Sequence, residues 1–250
     1  MAQLMRTSNP ALNQTIFQGQ HVALEEAMTL NGTVNKTGIL LLCTVATAAW
    51  TWHRFMQTHS AMSVLPFLWT GLLGGLIFAL ITTFKKTWAP VTAPVYALLE
   101  GLALGGISAV FELRFPGIAM QSVGLTFGTM FVLLLAYRSG LIPVTQKFRL
   151  GIVAATGAIM LFYVAELLLG FFGVRFASIN GSGIVGIGFS VVIVVVAALN
   201  LVLDFDFIES GVQARAPKYM EWYSAFGLMV TLIWLYLEIL RLLSKVRSRN

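Results

Sequence analysis

Long stretches of this chain contain nothing that water would hold. Gly38–Trp52, Ala61–Phe84, Gly117–Ala136 and Ile184–Leu203 carry no charged side chain, and Val91–Phe111 and Leu150–Phe172 carry a single glutamate each. About 20 predominantly apolar residues suffice to cross the roughly 30 Å hydrocarbon layer of a bilayer as a helix. Helix is the expected form, because each backbone polar group must find its partner inside the protein there. Composition agrees: 58% of the 250 residues are hydrophobic and 10% are charged, where soluble domains carry about 25% charged residues. Too few charges remain to cover a water-facing surface, which excludes a soluble fold.

A seventh stretch, Trp222–Leu240, is long enough to cross but carries Glu238 near its far end. The expectation is an all-α polytopic membrane protein with seven transmembrane helices. Six helices plus a re-entrant last segment is the alternative. The first stretch is short unless the polar Thr51–Phe55 extends it. The chain then divides into a polar N-terminal segment (1–36), one transmembrane bundle (37–243) and a basic C-terminal tail (244–250). No basic start followed by an apolar core and a cleavage site is visible, so the first helix is expected to serve as its own anchor. Cys43 is the one cysteine, which excludes a disulfide framework and a cysteine zinc site. Asn13, Asn31 and Asn35 each begin an Asn-X-Thr acceptor, but an inside-facing segment never meets glycosylating enzymes, and no modification is expected.

Lys and Arg set the orientation of a multi-span chain. Arg6, Lys36, Lys85, Lys86, Arg138, Lys147, Arg149, Arg215 and Lys218 fall on the side of the N-terminus, against Arg54, Arg114 and Arg175 on the other. The N-terminus is therefore expected in the cytoplasm, with the chain in a bacterial inner membrane. Arg241, Lys245, Arg247 and Arg249 argue the other way, since seven spans would leave them outside. The net charge of +6 reflects cations at membrane boundaries. Lipid bilayer is the expected partner, and nucleic acid is not. Membrane-protein partners and oligomeric state stay open.

The acids are more informative than the bases. Glu100 and Glu166 lie inside apolar stretches, Asp204 and Asp206 close the sixth, and Glu238 sits in the seventh. An ionised carboxylate at the bilayer centre costs about 2.5–3.5 kcal/mol or more, so such groups face the bundle interior, find partners or stay protonated. A cluster of them suits a proton sensor or an ion pathway, and an oxygen-lined cavity suits a hard cation such as Ca²⁺. Asp204, Asp206 and Glu238 are the candidate Ca²⁺ ligands, and no cofactor is expected. The plainer reading is that each acid hydrogen-bonds a neighbouring helix, or marks a helix end. Asp204 and Asp206 are two residues apart, about 200° around a helix, so at most one faces a given partner. Glu238 and Arg241 are three apart and can pair.

Four segments together resemble the Bax inhibitor-1 family in its bacterial branch. They are Met28–Thr37, Leu98–Leu104, Asp204–Ile208 and Leu235–Leu243. The resemblance implies six helices around a central C-terminal helix, and a pH-sensitive calcium leak channel whose eukaryotic relatives act in cell-death suppression and stress response. It also implies a sensor of two aspartates, one late in the sixth helix and one in the seventh. The first falls on Asp204, with Ile208 keeping the family spacing and Phe205-Asp206 replacing Thr-Gln. The second falls on Glu238 in one register. In the other, which fits the terminal Leu-rich run better, Thr231 stands at that position and Glu238 lies two turns on.

The leading expectation is a proton-regulated cation leak gated by intramembrane carboxylates. A regulatory protein that binds other membrane proteins is the second class. GxxxG pairs at Gly71/Gly75, Gly101/Gly105 and Gly124/Gly128 allow close helix contact, within the bundle or outside it. A proton-coupled transporter is the third. An enzyme is not expected: His21, His53 and His59 lie outside the long apolar stretches, and no HExxH or nucleophile pairing is visible.

Overall fold

The computed structural model describes residues 27–173 and 177–249. Arg6, Asn13, His21, Glu25, Glu26 and Arg175 lie outside them. Seven long helices follow in order: α1 Leu30–Thr58, α2 Leu65–Phe84, α3 Ala89–Arg114, α4 Ile118–Arg138, α5 Gln146–Phe171, α6 Ile184–Gln213 and α7 Met220–Arg249. A single turn at Ala177–Asn180 lies between α5 and α6, and the described residues form no strand. Helices α2 to α7 are long and apolar enough to cross a membrane. The protein is therefore an integral, multi-pass membrane protein.

Helix α1 has the length, at 29 residues, but not the composition. Its buried face is mostly threonine, with Thr33, Thr37, Thr44 and Thr51 beside Leu40 and Phe55, spaced to share one side of a helix. Each hydroxyl donates to the carbonyl four residues earlier, at 3.0–3.1 Å. A threonine that occupies its own hydroxyl in this way can pack inside without an orphaned donor. The face opposite is α3, where glycine removes the bulk. A Cβ on Gly101 would stand 2.0 Å from the Thr47 hydroxyl, and one on Gly105 2.5 Å from the Ala48 carbonyl. Gly71 brings α2 equally close to the other side of α3, 2.5 Å from the Leu99 carbonyl. Two of the three GxxxG pairs thus build the α1–α3–α2 layer. Gly124 and Gly128 have no neighbouring atom within 4 Å of a built Cβ.

The C-terminal helix is central, as the resemblance implies. It packs against α1, α3, α4 and α6, while α2 leans on α3 and α5 on α6 at the outside. Its core residues include Tyr223, Phe226, Met229 and Leu235, all essentially without solvent contact. At one end, Glu221 of α7 pairs with Lys36 of α1. At the other, the Lys245 ammonium donates to the carbonyls of Ile179 and Gly186 at 2.8 and 3.1 Å and to the Ser190 hydroxyl at 2.9 Å. Helix α7 therefore runs from where α1 begins to where α6 begins, without turning back.

The boundaries differ from those read off hydropathy. Residues 30–36 are the first turns of α1, and 244–249 are the last turns of α7. Polar helical turns beyond an apolar stretch leave no hydropathy signal, so both helices extend past its edge. Glu112 has a similarly local role: it accepts from the N–H groups of Gly117 at 2.5 Å and Ala119 at 3.2 Å. It thereby caps α4, whose first residue follows Gly117 in the left-handed region at φ +82°, a conformation that glycine adopts without strain.

Candidate functional site

The stretch Asn200–Ile208 of α6 is buried almost residue by residue, because α7 covers one side and α4 and α5 the others. Within this apolar packing sits Asp204, 3% exposed. Its neighbour across the seam is Thr231 of α7, whose hydroxyl lies within hydrogen-bonding reach. The other carboxyl oxygen, Oδ2, has no hydrogen-bond partner among the described residues. The Thr231 hydroxyl has one proton and two acceptors, Asp204 and the Gly227 carbonyl at 3.4 Å. A buried carboxyl with one lone-pair set unmatched is a costly arrangement. Such exceptions cluster at functional sites. Thr231, rather than Glu238, is the α7 side chain beside Asp204.

The remaining acids do not join this site. Asp206, two residues on and turned away as the helical repeat requires, accepts from Arg149 of α5 at 2.5 Å. Next to it, Glu209 accepts from the Tyr137 hydroxyl of α4 at 2.5 Å. Glu238 lies two turns from Thr231 toward the far end of α7, where it accepts from the Tyr163 hydroxyl at 2.8 Å and from Arg241 at 3.2 Å. Glu166 accepts from the Asn180 amide. Glu100 packs over Gly75 in the α2–α3 contact. The expected Ca²⁺ ligand set of Asp204, Asp206 and Glu238 therefore requires correction. Each of the three has its own partner, Thr231 for Asp204, Arg149 for Asp206, and Tyr163 with Arg241 for Glu238, and no group of three metal-ligating side chains forms among the described residues. The five acids occupy separate positions along the bundle, and Asp204 alone lacks a cationic partner among Asp204, Asp206 and Glu238.

A family model described as Bax inhibitor 1 like matches residues 9–248. The chain belongs to the Bax inhibitor 1 like family. Neither the curated proteins nor the solved structures gave a match.

In this Bax inhibitor 1 like protein, the segment Met28–Thr37 that carries part of the resemblance has a visible job. Met28 N–H donates to the Ala216 carbonyl at 2.7 Å. Thr29 caps α1 through Gly32 N–H at 3.0 Å, while its own N–H and hydroxyl donate to Glu221 at 2.9 and 3.0 Å. Lys36 at 2.5 Å and Lys218 at 3.0 Å complete the surroundings of this fully buried carboxylate. Gly32 is the residue that lets it approach: a Cβ there would stand 2.0 Å from Glu221 Oε1. Sequence reading passed over Glu221 because it lies just outside the seventh apolar stretch. The available signal was an acid in the first turn of a helix, where the macrodipole favours it.

A second feature escaped notice for a different reason. Arg149, Thr156 and Tyr163 recur every seven residues on α5 and so form one stripe. Arg149 bonds Asp206, Thr156 accepts from the Asn200 amide at 2.8 Å, and Tyr163 bonds Glu238. Each residue alone is unremarkable in a membrane helix. Only the shared spacing makes the stripe readable. It is how an otherwise lipid-facing helix is fastened to α6 and α7 by polar contacts.

Proposed function

We propose that this Bax inhibitor 1 like protein is a proton-regulated cation leak, with Ca²⁺ as cargo and the α6–α7 seam at Asp204 as its gate. One observation carries the reading: a buried carboxyl with an unmatched oxygen lies on the central helix's contact surface, opposite a hydroxyl that has another acceptor to turn to. When the acid is neutral it can donate into the seam and hold α6 on α7. When it is ionised it needs water or a cation beside it, and a packed apolar seam supplies neither. Ionisation therefore favours an open seam, and flux falls as pH falls. Because Thr231 takes the place of a second acid, the gate works with one carboxyl. The excess of Lys and Arg at the end where α1 begins supports a cytoplasmic position for that end.

The test is Ca²⁺ flux into proteoliposomes across a pH series. Asp204→Asn is expected to abolish the pH dependence, and Thr231→Asp to steepen it by adding a second proton. Unchanged pH dependence in Asp204→Asn overturns the gate. Absence of flux at every pH in the unmodified protein overturns the leak.

A further inference from the structure

Helix α1 packs on α3 and α7, and α4 packs on α7 and α6. Between α1 and α4 the bundle is left with a cleft. At the end where α1 begins it holds a cavity of about 960 Å³, walled by Val34 and Leu41 of α1, Met130 and Leu134 of α4, and Phe205 of α6. Farther along, a second and almost wholly apolar cavity of about 430 Å³ follows, with α3 and α7 as its floor. Leu41 lines both, so the two lie end to end. From Leu30 to Trp52, the α1 residues that bound them rise about 33 Å at 1.5 Å per residue, the depth of a bilayer's hydrocarbon layer.

The rim of the larger cavity is charged in a particular way. Asp206 is matched by Arg149 at 2.5 Å. That leaves two exposed lining groups, the Glu209 carboxylate and the Arg138 guanidinium. Glu209 is bonded by the neutral donors Tyr137 and Gln213 and, among the described residues, forms no ion pair. A molecule that fits here needs an apolar tail and a head carrying one anionic and one cationic group. A bilayer lipid with a phosphate and a primary ammonium has both. We propose that the α1–α4 cleft is a binding site for a zwitterionic amino-phospholipid from the leaflet at the α1 N-terminal end. Its phosphate meets Arg138, its ammonium meets Glu209, and one acyl chain lies along the cleft against Leu134 and Phe205. Such a lipid would lie directly beside α6, one helix turn from the Asp204 seam.

The experiment is native mass spectrometry of the full chain, purified in mild detergent from vesicles holding equal amounts of phosphatidylethanolamine, phosphatidylglycerol and phosphatidylcholine. One phosphatidylethanolamine retained in preference to the others is expected. Arg138→Gln and Glu209→Gln should each lower its retention about fivefold, the scale of one rim charge. Leu134→Trp, which fills the cleft, should remove the lipid, whereas Leu161→Trp on the outer face of α5 should not. Melting temperature in the same detergent identifies any variant that has simply unfolded. Equal retention of all three lipids, preference for phosphatidylglycerol, detergent in place of lipid, or retention unaffected by the rim variants overturns the proposal.

Discussion

Glutamine in place of Glu221 offers the sharpest test of how the two ends of the chain are tied together. The substitution keeps the shape and one acceptor oxygen but removes the charge that Lys36 approaches to 2.5 Å and Lys218 to 3.0 Å. The Lys36 side chain is 20% exposed, and Lys218 is 52% exposed. The Lys218 contact is therefore a surface pair worth less than about 1 kcal/mol. Removing one partner of a buried pair costs about 3–5 kcal/mol, and because the Lys36 side chain is partly exposed the low end applies, about 3 kcal/mol. Unfolding in mixed micelles can be followed by tryptophan fluorescence, with Trp222 reporting locally because the Lys36 ammonium lies 5.8 Å from its ring. A cycle of Glu221→Gln, Lys36→Met and the double variant isolates the pair. A coupling energy of about 2 kcal/mol is expected. A coupling below about 0.5 kcal/mol would refute the view that this contact fastens α1 to α7.

Three further outcomes follow from the packing. Gly101→Ala drives a Cβ to 2.0 Å from Thr47 and 2.3 Å from the Thr44 carbonyl, and should cost about 1–3 kcal/mol in the same unfolding assay. Gly124→Ala has open space around it and should leave stability unchanged or raise it by up to about 1 kcal/mol. Arg149→Met leaves Asp206 without its cation and should lower stability by about 2 kcal/mol, most of it recovered when Asp206→Asn is added.

Class and helix number were legible from the sequence because a bilayer imposes long apolar stretches and the chain has few charges to hide them. Helix α1 was the weakest of them, and the reason is now physical: threonines pack as apolar residues once each hydroxyl bonds its own helix, but a hydropathy sum still counts them as polar. The resemblance drew attention to Asp204, which lies buried where α6 meets α7, and implied the central position of α7. What the sequence could not reveal is which acids share a site. Asp204, Asp206 and Glu238 look like one cluster when read along the chain. Two residues of separation on α6 turn Asp206 toward α5, and two helix turns carry Glu238 away from Thr231 to Tyr163. Glu221 stayed invisible because its importance comes from α1, 185 residues away.

The threonine face of α1 bears on how the chain enters a membrane at all. Insertion machinery samples each helix by its own transfer energy as it emerges, and α1 emerges before the surface that makes its polarity tolerable. Its Thr44 hydroxyl, for example, also bonds the Ala97 carbonyl, which belongs to a helix not yet synthesised. Until α3 arrives, α1 is better suited to the headgroup region than to the hydrocarbon. Helix α1 is thus sealed in only once α3, made after it, has arrived.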